Sequence, residues 1–109
     1  MKIAVAVDGT EVSQHFGHCQ SYVVATVEDG KIVSQEDVPN PGHEPGRLPQ
    51  LMHELGVNCL LVGGIGPRAV DLLAGLGIEV VSGVSGEVDD ALRRFLAGEL
   101  EGAENPCDH

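Results

Sequence analysis

Short apolar runs bounded by turn residues constrain this chain most: Ile3–Val7 (IAVAV), Tyr22–Val27 (YVVATV), Asn58–Val62 (NCLLV) and Ile78–Val81 (IEVV). Each is strand-length and too apolar for a strand with one wet face, and IAVAV is rich in β-branched residues. Runs of this kind are buried strands. Between them lie segments of a different period. Leu48, Leu51, Met52 and Leu55 recur at helical spacing and stop at Gly56, a C-terminal cap residue. Ala69, Val70, Leu72, Leu73 and Leu76 repeat the pattern after Pro67 and end at Gly77. Proline is tolerated in a first helical turn because its missing N–H has no partner there. Val88, Ala91, Leu92, Phe95 and Leu96 mark a last helix. Tyr22–Val27, the Asp29-Gly30 turn and Lys31–Asp37 read as a hairpin.

The order is strand, hairpin, helix, strand, helix, strand, helix. Buried strands joined through helices require a parallel sheet covered on both faces, and the hairpin adds an antiparallel pair. The expectation is an α/β fold with α/β/α layers and a five-stranded mixed sheet in order 3-2-1-4-5, strand two antiparallel, subject to right-handed crossovers. Residues 9–20 are expected to form a loop. One domain should span residues 1–97, followed by a flexible acidic tail over residues 98–109. Parallel neighbours one and four open their loops at the same sheet edge. That places the Asp8–Cys19 segment beside Gly63–Pro67, with Ser82–Ser85 opening there too, at the edge where open α/β sheets hold ligands.

Composition excludes several classes. The formal net charge is -11, with six Lys and Arg in total, which argues against a phosphate-backbone or anionic-membrane partner. One Tyr, two Phe and no Trp leave no platform for stacking bases. Neither a secretory leader nor a membrane-spanning stretch is visible, so the expected location is cytoplasmic. Three cysteines, an odd number, argue against a disulfide framework and leave metal binding, redox chemistry or burial.

His15-Phe16-Gly17-His18-Cys19 puts two imidazoles and a thiol within five residues. Imidazole and thiolate together suit zinc, copper(I) or iron in clusters. The bland alternative caps a loop with His15, solvates His18 and buries Cys19. The chain ends Cys107-Asp108-His109. In an extended backbone alternate side chains point the same way, so Cys107 and His109 can face one ion, and with His15, His18 and Cys19 they form the candidate metal set. Cys59 reads as a small buried hydrophobe, His53 as helix surface, and His43 as an undecided loop residue.

Gly63-Gly64-Ile65-Gly66-Pro67 joins a strand to a helix start, and Arg68 follows. Free N–H groups and the helix dipole favour an anion there, so Gly63, Gly64, Ile65, Gly66 and Arg68 are the candidate cofactor-binding residues. The competing explanation is a tight turn that needs glycine. Neither the P-loop nor the dinucleotide spacing is present. Asp8-Gly9-Thr10 places a carboxylate at a first strand's end, but two-metal hydrolysis needs further converging carboxylates, and no serine-nucleophile elbow occurs.

VAVDGTEVSQHFGHC, the DGKI hairpin, NPGHEPG, GVNCLLVGGIGPRAVDLLAGLGIEVV and the ending ENPCDH together resemble the dinitrogenase iron–molybdenum cofactor biosynthesis family, of the NifX and NifB C-terminal type. The resemblance covers nearly the whole chain. It implies a ribonuclease H-like fold without nuclease chemistry. It also implies binding of an iron–sulfur or molybdenum–iron cluster, with cluster-assembly proteins as donor or acceptor. His15 lies on the HFG motif and becomes the foremost ligand candidate.

The expected protein is therefore a non-enzymatic cluster carrier, monomeric or homodimeric. Zinc is the simpler metal alternative, and a ribonuclease H-like hydrolase or a small-anion-binding regulatory module are the functional alternatives.

Overall fold

A computed structural model describes residues 1–42 and 47–99. In chain order the elements are β1 (Lys2–Asp8), β2 (Glu11–Val12), β3 (Ser21–Glu28), β4 (Lys31–Pro39), α1 (Arg47–Glu54), β5 (Cys59–Leu61), α2 (Pro67–Gly75), β6 (Glu79–Val81) and α3 (Val88–Leu96). The sheet runs β4-β3-β1-β5-β6, with β2 pairing β1 off this path. Numbered one to five in chain order, the strands of the main path read 3-2-1-4-5.

The sheet is mixed: β1 is antiparallel to β3, and β1 with β5 and β5 with β6 are parallel. It has six strands rather than the expected five. The added strand, β2, lies inside the segment expected to be loop. It exists because Val7 and Asp8 find partners in Val12 and Glu11, while Val12 N–H donates to Gly86 O at 2.9 Å.

The β3–β4 hairpin closes through Asp29 (φ 53°) and Gly30 (φ 77°), the pair of positive φ angles that matches the twist of the flanking strands. A register shift at Thr26/Val27 interrupts the ladder opposite Val33, which is 55% exposed.

Alternation along β1 divides the core. Ala4 and Ala6 join Tyr22, Leu60 and Val62 under Met52 of α1 and Leu73 of α2. Ile3, Val5 and Val7 join Ala25, Leu61 and Val81 under Ala91 and Leu92 of α3. Helices therefore cover both faces. Ala6 lies opposite Tyr22 in the ladder, and its small side chain leaves room for the phenol ring, which is 0% exposed. The parallel register Ile3↔Cys59 to Val5↔Leu61 brings the C-terminal ends of β1 and β5 out at one edge. The two loops that leave those ends build the candidate site.

Candidate functional site

The loop after β1 is fastened to the turn after β5 by backbone hydrogen bonds. Gly63 N–H donates to Ser13 O at 2.8 Å, and Phe16 N–H to Gly64 O at 3.0 Å. This proximity explains the paired glycines. A Cβ on Gly64 would stand 2.3 Å from Gln14 O, and one on Gly63 would meet the Gln14 side chain at 2.4 Å. Gly63-Gly64 thus permits close approach of Gln14, its side chain at Gly63 and its backbone at Gly64, and the Gly63 N–H is already taken.

Phe16 is the fixed point of the loop. Its ring is 5% exposed and packs on Tyr22 with centroids 5.7 Å apart. Its carbonyl accepts the Tyr22 hydroxyl at 2.5 Å and the Cys19 thiol at 3.5 Å. Asn40, just past β4, donates through Nδ2 to Cys19 O at 2.8 Å and Gly17 O at 3.3 Å. Buried hydrogen bonds of this kind hold irregular backbone in one conformation.

Beside this loop lies a cavity of about 700 Å³. His15, His18, Gly64, Ile65, Gly66 and Arg68 line part of it. Both predicted segments thus meet at one rim. Leu48 and Pro49 of α1 and Ala69 and Leu72 of α2 also line the cavity. Gly66 is the N-cap of α2, whose start carries no side-chain cap and has Pro67 in its first turn. The Arg68 side chain stands at the same corner, so positive charge and the helix N-terminus coincide there.

The family model for dinitrogenase iron–molybdenum cofactor matches residues 1–98. The chain belongs to the dinitrogenase iron–molybdenum cofactor family. An uncharacterized protein of Methanocaldococcus jannaschii is 34% identical over 106 residues, covering 93% of this chain and 90% of the relative. The crystal structure of PH0822 superposes with a TM-score of 0.88 at 33% identity, covering 94% of this chain and 95% of that one. The apo form of the orange protein from Desulfovibrio gigas gives a TM-score of 0.82 at 30% identity, with 96% and 94% covered. Membership ties the chain to a cofactor-related role.

In this member of the iron–molybdenum cofactor family the candidate ligands separate. His15 and His18 face the cavity, but Cys19 does not: it is 4% exposed within the core cluster of α1 and α2. Burial pushes its thiol pKa up, which opposes the thiolate form that metals take. The bland alternative for Cys19, a packed thiol under the sheet, is the arrangement observed. Burial also raises the Tyr22 phenol. Cys59 is 1% exposed in the other core cluster. His53 lies on the exposed side of α1. Cys107, His109, His43 and the acidic tail beyond Glu99 lie outside the described residues. Among the described residues no three His, Cys, Asp or Glu side chains converge as a metal site.

Sequence reasoning assigned Leu72 to the core face of α2, yet it is 41% exposed and borders the cavity. Leu48 and Pro49 were not seen as site residues. Phe16 carried a usable signal, since a large aromatic in a polar loop needs a wall to pack on.

Proposed function

We propose that this protein binds an iron–sulfur or molybdenum–iron type cluster as cargo, and stores or delivers it during metallocluster assembly without catalysing a reaction on it. One observation carries the proposal: in a chain of this family, His15, His18 and Arg68 share a roomy cavity with the apolar residues Leu48, Pro49, Ala69 and Leu72. Imidazole nitrogen is a competent ligand to cluster iron. Arg68 and the start of α2 favour the negative charge of sulfide-bearing groups. A cluster brings its own bridging sulfides, so it needs fewer protein donors than a lone zinc ion. Cys107 and His109 are proposed to add donors to the same cargo. The fold is taken as ribonuclease H-like with the nuclease chemistry absent, since both Asp8 carboxylate oxygens are engaged by Ser13 and Gln20. The proposed partners are cluster-assembly proteins. Among the described residues no helix is long and apolar enough to cross a membrane.

Anaerobic reconstitution with iron(II), sulfide and molybdate, followed by metal and sulfide analysis and absorption spectra, tests the proposal. The wild type should take up metal and sulfide together. Uptake should fall in His15→Ala and in a chain lacking residues 107–109. Metal without sulfide would indicate a zinc-type site. Saturable binding of inorganic phosphate at Arg68 without any metal uptake would replace the proposal with small-anion binding.

A further inference from the structure

The Asp8 carboxylate ends β1 and takes no part in the lining of the cavity. Asp8 reaches both ends of the loop that carries the two histidines. Its Oδ2 accepts the Ser13 hydroxyl at 2.7 Å, and its Oδ1 accepts the Gln20 N–H at 2.9 Å. Gln20 returns the contact, its Oε1 accepting Gly9 N–H at 2.8 Å.

Ser13 is 1% exposed, and its backbone is anchored on both sides. Its N–H donates to Ala6 O at 2.7 Å and its carbonyl accepts Gly63 N–H at 2.8 Å. Its hydroxyl oxygen accepts the His15 N–H at 3.1 Å, and the His15 carbonyl also lies 3.1 Å away. A hydroxyl has one proton to give. A charged acceptor at the shorter distance takes it, so Asp8 aims the proton away from His15 and leaves the oxygen's lone pairs for the His15 N–H.

We infer that Asp8 is a positioning residue for the cargo site: through Ser13 it fixes the backbone of His15, and through Gln20 it fixes the far end of the turn carrying His18. Both imidazoles are thereby presented to the cavity from a loop that has no regular secondary structure of its own between residues 13 and 20. This inference rests on the cluster-binding proposal for its purpose. It also sets Asp8 apart from the carboxylate of a hydrolase, which would need its oxygens open to a metal or water.

The experiment compares Asp8→Asn, Asp8→Ala and Ser13→Ala, using amide and imidazole NMR signals of His15 and His18 together with anaerobic loading by iron(II) and sulfide. In Asp8→Asn the amide oxygen still accepts Gln20 N–H. Its NH2 can donate to the Ser13 oxygen, whose proton then turns to the His15 carbonyl while the oxygen keeps the His15 N–H. The histidine signals should stay near their wild-type positions and loading should stay within about twofold. In Asp8→Ala both carboxylate contacts are lost, while the Gln20 N–H keeps Val7 O at 3.1 Å. Loading affinity should fall by about tenfold, or about 1.4 kcal/mol, with His15 signals displaced and broadened and His18 signals displaced less. Ser13→Ala should displace His15 more than His18.

Loss of loading in Asp8→Asn equal to that in Asp8→Ala, with histidine signals unmoved, would overturn the inference and make the negative charge itself the functional element. Unchanged signals in Asp8→Ala would overturn it as well. If the wild type takes up no iron and sulfide, cluster binding fails, and the NMR comparison still decides whether Asp8 positions the loop. Should Asp8→Ala fail to fold, the Ser13→Ala and Asp8→Asn signals decide.

Discussion

Replacing Gly64 by alanine should loosen the junction on which the candidate site is built. The new Cβ would lie 2.3 Å from Gln14 O, and the obstacle is backbone, so no side-chain rotation relieves it. The loop after β1 must move away from the turn after β5. That weakens two hydrogen bonds, Phe16 N–H to Gly64 O at 3.0 Å and Gly63 N–H to Ser13 O at 2.8 Å. At about 1 kcal/mol each, with about 1–3 kcal/mol for overpacking, the loss is about 3–5 kcal/mol. Total stability of a domain this size is about 5–15 kcal/mol, so the variant should still fold but melt at least about 10 °C lower. Thermal unfolding followed by circular dichroism measures this. Gly75→Ala is the internal control. It lies in α2, and a Cβ there meets nothing within 4 Å, so it should stabilise by about 0.5–1 kcal/mol. A melting temperature for Gly64→Ala within about 2 °C of wild type would refute the close-approach explanation for the paired glycines.

Alkaline pH should destabilise the fold through two buried acids. Burial holds the Tyr22 and Cys19 pKa values above their ordinary 10.0 and 9.0, so the fold prefers both protonated. Their contribution is fully present below those ordinary values. It is lost as pH rises past them towards the folded-state values, by about 1.4 kcal/mol per pH unit for each group. Tyr22 is the only tyrosine and there is no tryptophan, so near-ultraviolet phenolate absorbance reports it alone; phenolate forming near pH 10 while the protein remains folded would contradict the expectation. Tyr22→Phe removes the hydroxyl that donates to Phe16 O at 2.5 Å and should cost about 1 kcal/mol, read as a lower urea midpoint; an unchanged midpoint would show that the bond contributes nothing net. Met52→Ala empties a position that is 0% exposed between α1 and the sheet; a loss of about 2–5 kcal/mol is expected, and a cost near zero in urea unfolding would mean that the α1 side of the core is loosely packed.

The longer strands and the helices were legible because burial of a short strand and of one helix face leaves a period in the residues themselves. The meeting of the histidine loop with the glycine turn was legible as well, from the parallel pairing of β1 with β5. Three features were not. β2 is two residues long and owes its existence to partners in β1 and at Gly86, so no local periodicity announces it. Cys19 and His18 are adjacent, yet one enters the core and the other the cavity. The turn pinned by Asn40 and Tyr22 sets that division, and a loop has no fixed period from which to read it. Leu72 matches the apolar spacing of its helix as well as Leu73 does, but Leu73 is 0% exposed and Leu72 borders the cavity.

The residues alone therefore determined the layered α/β architecture and the chemical kinds of group available, because propensity, periodicity and side-chain chemistry are properties of short stretches. Tertiary structure alone decided which donors face the cavity, why Gly63 and Gly64 carry no side chain, and what occupies the Asp8 carboxylate. Those depend on distances between segments far apart in the chain, and only the packed fold sets such distances.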